Sequence, residues 1–306
     1  MVPRHFLKAW GVFLAVGLAA GAAWAQNATP FTYKATVGEV LVQTNVLDKH
    51  GKAVNNLPAG DFTVFENGVR QKIDSFSHAD APVSVGILVD NSGSMRPKRL
   101  RVDQAALNFV RSSNPQDEVF IVKFNDEYQL AAPFTNSIPR MEKGLGEINP
   151  EAGTALYDAM IRGITYLNKN ARHPKKVILL ISDGEDDASS HSLAQAMALV
   201  QQPDAPLIYT IGIFGSDDGR SARKEASKVL KQFADASGGN AYFPKNLNEV
   251  NAITGQVARD IRLQYSLVYR SNQTTPGFRA IRVEVHDPHQ KHLKAHTRNG
   301  YIAGVN

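Results

Sequence analysis

The chain has 306 residues, 43% of them hydrophobic, enough for one large domain or two smaller ones with a sizeable core. It has no cysteine, which excludes disulfides and a lipid attached at a cysteine. Its formal charge of +5 (34 basic and 29 acidic side chains, no long Lys/Arg run) does not point to nucleic acid, which favours a basic patch or stripe.

Residues 1–25 read as a secretory signal. Arg4 and Lys8 give a basic start, Ala9 to Ala23 form an apolar stretch, and Ala23-Trp24-Ala25 fits a small-residue cleavage site before Gln26. An uncleaved anchor is the competing reading, but the stretch is short and rich in Gly and Ala for a full span. Export without disulfides suits a bacterial envelope. The chain is therefore expected to be periplasmic, envelope-associated or secreted, with no stable membrane span once the signal is removed.

The segment 31–80 is expected to be β-rich. Val37–Leu47 has strand character, and Phe62–Glu66 faces Val69–Ile73 across Asn67-Gly68, the strongest short hairpin signal. From 82 to 262 strands alternate with helical stretches, which predicts a doubly wound α/β fold with a mostly parallel sheet. The strands expected are Ser84–Asp90, Glu118–Asn125, Lys176–Ser182, Leu207–Ile213 and a short Asn240–Phe243. The helices expected are Pro97–Arg111, Pro139–Ile148, Ala155–Asn168, Ser192–Gln201, Ser221–Ala236 and Leu247–Leu263, with Pro97 in a first turn and Gly238-Gly239 as a stop. Tyr128–Phe134 follows its neighbour by so short a turn that it must run antiparallel, at an edge. After Leu263 the β pattern returns in Gln264–Arg270, Ile281–His286 and Leu293–Thr297, so 263–304 forms a second β-rich segment. Neither end buries a good core alone, and the two are expected to pack together.

The chemistry concentrates in three places. The apolar run Val83–Val89 ends in Asp90, and Ser92 and Ser94 follow at alternate positions in DNSGSM. A second run, KKVILLIS, ends in Asp183 of SDGED. Between them GTALYDA opens a helix and offers Thr154. In an open parallel sheet ligands bind beyond the carboxyl ends of the strands, where the order reverses. Three loops carrying Asp90, Ser92, Ser94, Thr154 and Asp183 would meet there, all oxygen donors suited to Mg²⁺, Ca²⁺ or Mn²⁺. Singly, the serines also suit helix caps and Asp183-Gly184 suits a turn.

D-x-S-x-S after a buried strand, G-T-A-L-Y-D-A before a helix and S-D-G after a later strand together resemble the von Willebrand factor type A domain, over about residues 82–262. LPAGDFTVFENGVRQKI and the tail from YSLVYRS to RNGYIA are similar to a bacterial exported family labelled von Willebrand type A-related. The resemblance implies a metal-ion-dependent adhesion site. Ser92 and Ser94 would bind the ion through their hydroxyls, and Thr154 directly or through water. Asp90 and Asp183 would act through bound waters and by holding the hydroxyls. Mg²⁺ is the first expectation, with Mn²⁺ and Ca²⁺ as alternatives, and a protein partner's Asp or Glu would complete the shell. The function this implies is a non-catalytic, exported binding or adhesion module. The alternatives are a structural piece of an envelope complex and a metal-dependent hydrolase.

Other signals are weaker. Phosphatases of the haloacid dehalogenase type place an acid/base Asp two residues after the first, where this chain has Ser92. Glu185-Asp186-Asp187 reads as a solvated acidic loop, and Ser216-Asp217-Asp218-Gly219 lacks the later Glu of a calcium loop. His286, His289, His292 and His296 read as a solvated hairpin.

Overall fold

The computed structural model describes residues 38–304 apart from 51, 79, 113, 147–152, 216–217 and 291, and the signal read at 1–25 lies outside them. In chain order the strands and helices are β1 (Glu39–Leu47), β2 (Phe62–Glu66), β3 (Val69–Gln71), β4 (Ile73–Ser77), β5 (Ser84–Asp90) and α1 (Arg99–Ser112). Then come β6 (Glu118–Phe124), β7 (Tyr128–Thr135), α2 (Ile138–Gly146), α3 (Leu156–Asn170), β8 (Lys176–Ser182) and α4 (Leu193–Val200). The rest are β9 (Leu207–Gly212), α5 (Arg220–Ser237), β10 (Ala241–Tyr242), α6 (Leu247–Arg262), β11 (Tyr265–Arg270), β12 (Gly277–Val285), β13 (Lys294–Thr297) and β14 (Gly300–Ala303).

The architecture is mixed α/β, with a mostly parallel central sheet and flanking antiparallel sheets. The central sheet runs β10-β9-β8-β5-β6-β7. Every pairing in it is parallel except β6 with the edge strand β7. Strands β5, β6 and β9 are buried along their whole length, as expected where helices cover both faces. Side chains alternate between two cores. Val85, Ile87 and Val89 of β5 meet α1, α2 and α6, and Leu88 faces the core that includes residues of α3, α4 and α5.

One expected helix start moves. The α-helix begins at Arg99, and Pro97 lies inside a 3₁₀ segment, Gly93–Lys98, that intervenes after the serines. A 3₁₀ turn closes i to i+3, so it carries the chain from the DNSGSM loop into the helix in fewer residues per turn.

The remaining strands form two antiparallel four-stranded sheets, β13-β1-β11-β4 and β14-β12-β2-β3. Asn67 and Gly68 take φ of 49° and 79°, the left-handed pair that a tight hairpin between β2 and β3 requires. The strand expected to reach Ile73 stops at Gln71, and Lys72 carries the chain into the other sheet as β4. Thr297 to Gly300 makes the matching switch from β13 to β14. Strands from both chain ends thus enclose one core of Val42, Val64, Phe62, Tyr265, Leu267, Tyr269 and Tyr301. The second crossing, β14, and the start of β12 at Gly277 are absent from the sequence reading. Each is too short or too polar to show a period of its own.

Arg298 fixes this sandwich to the α/β unit. Its guanidinium donates to the carbonyls of Gly300, Pro203 and Gln202 at 3.0, 3.1 and 2.7 Å. Lys175, at the foot of β8, is buried and donates to the carbonyl of Ile261. Burial pushes its ammonium down to about 8, against the opposing charges of Asp80 and Asp117. In the unfolded chain the same lysine titrates near its ordinary value, about 10.4. Between the two values the unfolded chain binds more protons, so stability rises with pH there and Lys175 opposes folding at neutral pH. Lys175→Met is therefore expected to stabilise the fold by about 1–3 kcal/mol at pH 7, after allowance for the lost hydrogen bond. The gain should shrink towards pH 10. Urea titrations at pH 7 and 9.5 check this, and an equal effect at both contradicts the assignment.

Candidate metal centre

Strand β5 lies between β8 and β6, so the order reverses at β5 and the loops after β5 and β8 open side by side. Asp90 ends β5, and Asp183 follows β8 directly. Both are buried, 1% and 2% exposed, as is Ser92, whereas Ser94 faces solvent.

Four of the five residues named from the sequence form two hydrogen-bonded pairs whose hydroxyls lie side by side. The Ser92 hydroxyl donates to Asp90 Oδ1 at 2.6 Å, and the Ser94 hydroxyl donates to Asp183 Oδ2 at 2.7 Å. The two hydroxyl oxygens are 3.1 Å apart. The Ser92 amide also donates to Asp90 Oδ1, at 2.9 Å, which closes the loop on its own carboxylate. Ser92 stands at the N-cap of the 3₁₀ segment but makes no side-chain cap bond, so the capping explanation fails here. Gly184 takes a φ of +81°, and a Cβ there would meet the Ala226 carbonyl at 2.9 Å. Only glycine turns the chain after Asp183 in this way.

Thr154 joins through the backbone. Its amide donates to Asp187 Oδ1 at 2.6 Å, and its carbonyl accepts the amides of Asp187 and Ala188 at 3.0 Å each. Its side chain is buried, and among the described residues no hydrogen bond links its hydroxyl to the other four. The Ala155 amide reaches the Asn125 carbonyl, and the Asn91 amide reaches the Phe124 carbonyl. The loops after β5, β6 and β8 and the one before α3 are thus cross-tied at the backbone.

The charge balance is uneven. Burial, and then the neighbouring charge of Asp183, push the Asp90 carboxyl up to about 7, against hydrogen bonds from Ser182 and Ser92. Two carboxylates brought together in a buried setting favour a cation between or beside them. Among the described residues no three His, Cys, Asp or Glu side chains gather as a metal cluster. A site here would rest on hydroxyls backed by two carboxylates, a hard-oxygen donor set that fits Mg²⁺ or Mn²⁺.

The sequence reading missed four contributors. Ser182 donates to Asp90 Oδ2 at 2.6 Å and accepts the Gly184 amide at 2.9 Å, and its place beside Asp183 in the motif was the available signal. Asp186 accepts from Ser189 and from the Tyr157 amide, and Asp187 holds Thr154, so two of the three acids read as a solvated loop are structural. Lys98 sits with Asp183 and with Asp218, whose neighbours 216 and 217 lie outside the described residues. Lys98 falls on the buried stripe of Val102, Ala105, Ala106 and Phe109, and a lysine on an apolar stripe is a legible anomaly. His191, nearest in sequence to the motif, faces Asp158 through Nδ1 at 2.8 Å. His296 of the tail contacts the Gly239 carbonyl.

Residues 85–185 match the family model of the von Willebrand factor type A domain. That stretch spans the strand, loop and S-D-G segments that build the site. Among solved structures the chain is similar to the von Willebrand factor type A protein of Catenulispora acidiphila, at 12% identity over 88% of this chain and 74% of that one, with a TM-score of 0.48. It is similar to BatB of Bacteroides thetaiotaomicron, at 17% identity over 58% and 98%, with a TM-score of 0.48. It is also similar to the von Willebrand domain of the pilus tip protein Mfa5 of Porphyromonas gingivalis, at 14% identity over 60% and 95%, with a TM-score of 0.45. No curated protein matches the chain. No helix among the described residues is long and apolar enough to cross a membrane.

Proposed function

We propose that this chain is an exported, non-catalytic protein-binding module whose contacts depend on a divalent cation, Mg²⁺ foremost. Ser92, Ser94 and Thr154 would hold the ion, with Asp90 and Asp183 behind them, and a partner's Asp or Glu carboxylate would complete the shell. The observation that carries the reading is the pairing of each serine hydroxyl with a buried carboxylate. Each hydroxyl spends its proton on that carboxylate, which leaves its oxygen lone pairs available to an ion. Bound there, the ion would supply a Lewis-acidic point for an incoming carboxylate.

The charge arrangement supports the same reading. Neutral hydroxyl ligands leave an ion electron-poor, so a partner carboxylate gains more than it would at a site of direct carboxylates. Ser94 is exposed, which puts one hydroxyl of the pair within reach of a partner surface. Domains of the von Willebrand type A kind are often interaction and adhesion modules, and the match over residues 85–185 supports that class. The signal-like residues 1–25 support export. A hydrolase would need a base, and His191 is held against Asp158 in the first turn of α3.

The test is crosslinked capture of partners from the native envelope with the chain as bait. Capture in 5–10 mM-scale Mg²⁺ (roughly the excess needed to saturate a weak site) is expected to vanish in EDTA and with Ser92→Ala. Capture that persists through chelation contradicts a metal-dependent contact and favours a purely structural one.

A further inference from the structure

Lys98 is 2% exposed, yet it carries its ammonium into the candidate centre. Nζ lies 2.9 Å from Asp183 Oδ2 and 3.1 Å from Asp218 Oδ2. The Asp183 oxygen it contacts is the one that accepts the Ser94 hydroxyl. Two carboxylates within ion-pair distance keep the ammonium charged. A fixed positive charge therefore stands one carboxylate away from the serine pair. The 3₁₀ segment that displaces the expected helix start is what delivers it there.

We propose that Lys98 is a positioning residue that weakens the centre's hold on its own cation and strengthens the hold of the loaded centre on an external carboxylate. The inference rests on the metal reading above. A divalent ion bound at the serines would hold Asp90 and Asp183 ionised, and with Asp218 and the Lys98 ammonium these groups sum to −2, which the ion offsets. Without the ammonium the loaded cluster keeps a net negative charge. That charge would bind the ion more tightly and repel an incoming carboxylate. Lys98 also anchors Asp183 through the oxygen that accepts the Ser94 hydroxyl, so the carboxylate is held in place before any ion arrives.

Mn²⁺ alone, titrated into the full chain and read by the electron paramagnetic resonance of the free ion, tests this. Lys98→Met is expected to bind Mn²⁺ about tenfold more tightly than wild type. Its melting temperature without ion should fall below wild type, because Asp183 and Asp218 lose their counter-charge, and Mn²⁺ should raise it by more than it raises wild type. Asp218→Asn keeps the ammonium and removes a negative charge, so it is expected to bind Mn²⁺ severalfold more weakly. Damage to the fold would weaken binding in both variants, whereas the proposal requires opposite directions. Binding by wild type with Lys98→Met unchanged or weaker overturns the role of Lys98 alone. If Lys98→Met fails to fold, Asp218→Asn binding as tightly as wild type overturns it. No Mn²⁺ uptake by wild type overturns the metal reading and this inference with it.

Discussion

Glu66→Ala is expected to lower the unfolding free energy by about 3–5 kcal/mol. Glu66 ends β2 and is fully buried. Its carboxylate accepts the Tyr269 and Tyr301 hydroxyls at 2.5 and 2.9 Å on one oxygen. The other oxygen accepts the Ser271 hydroxyl at 2.6 Å and lies 3.8 Å from the Arg279 guanidinium. Burial and the adjacent carboxylate hold the Tyr269 phenol well above its ordinary range, so it stays a donor. One side chain thus joins the first sheet segment of the chain to strands contributed by the last. Alanine leaves three hydroxyls facing a cavity and takes the counter-charge from the Arg279 guanidinium, and each such loss in a buried setting costs free energy. Glu66→Gln keeps the shape and one acceptor and should cost less, about 1–3 kcal/mol. Urea unfolding with an unchanged m-value measures both. A loss below about 1 kcal/mol for alanine would show that the network is not what fastens the two chain ends.

Asp183→Ala is expected to weaken divalent-ion binding about 10–100-fold, the range typical of groups that orient direct ligands. It should also destabilise the chain by about 3–5 kcal/mol, because Lys98 is then buried with Asp218 alone. Asp183→Asn separates the two effects. The amide oxygen still accepts the Ser94 hydroxyl, so part of the stability returns, but the charge is gone and ion binding stays weak. Equal stability and equal ion affinity in wild type and alanine variant would remove Asp183 from the site.

Much of the central sheet could be read from the sequence because β5, β6, β8 and β9 are predominantly apolar runs with turn residues near their ends. The hairpin at Asn67-Gly68 was legible for a local reason, the need for two left-handed residues in succession. The sandwich was less so. Its sheet switch at Lys72 and its pairing of β1 with β11 and β13 depend on partners far apart in the chain, as the bond from Thr297 to the Gln43 carbonyl illustrates. At the candidate centre, Asp90, Ser92, Ser94 and Asp183 stood out because hydroxyls and carboxylates closed two buried strands. Asp186 and Asp187 did not, since a charged residue in a loop is solvated far more often than it is paired inside, and Lys98 was legible only as a charge on an apolar stripe. Their roles come from contacts between loops that only the folded sheet brings together.

The most direct measurement is saturable Mn²⁺ uptake by the chain, compared with Ser92→Ala. One ion per chain is expected in wild type, with loss of that binding in the variant at unchanged secondary structure. No saturable uptake by wild type, or the same uptake in both, would contradict a metal centre built on Ser92.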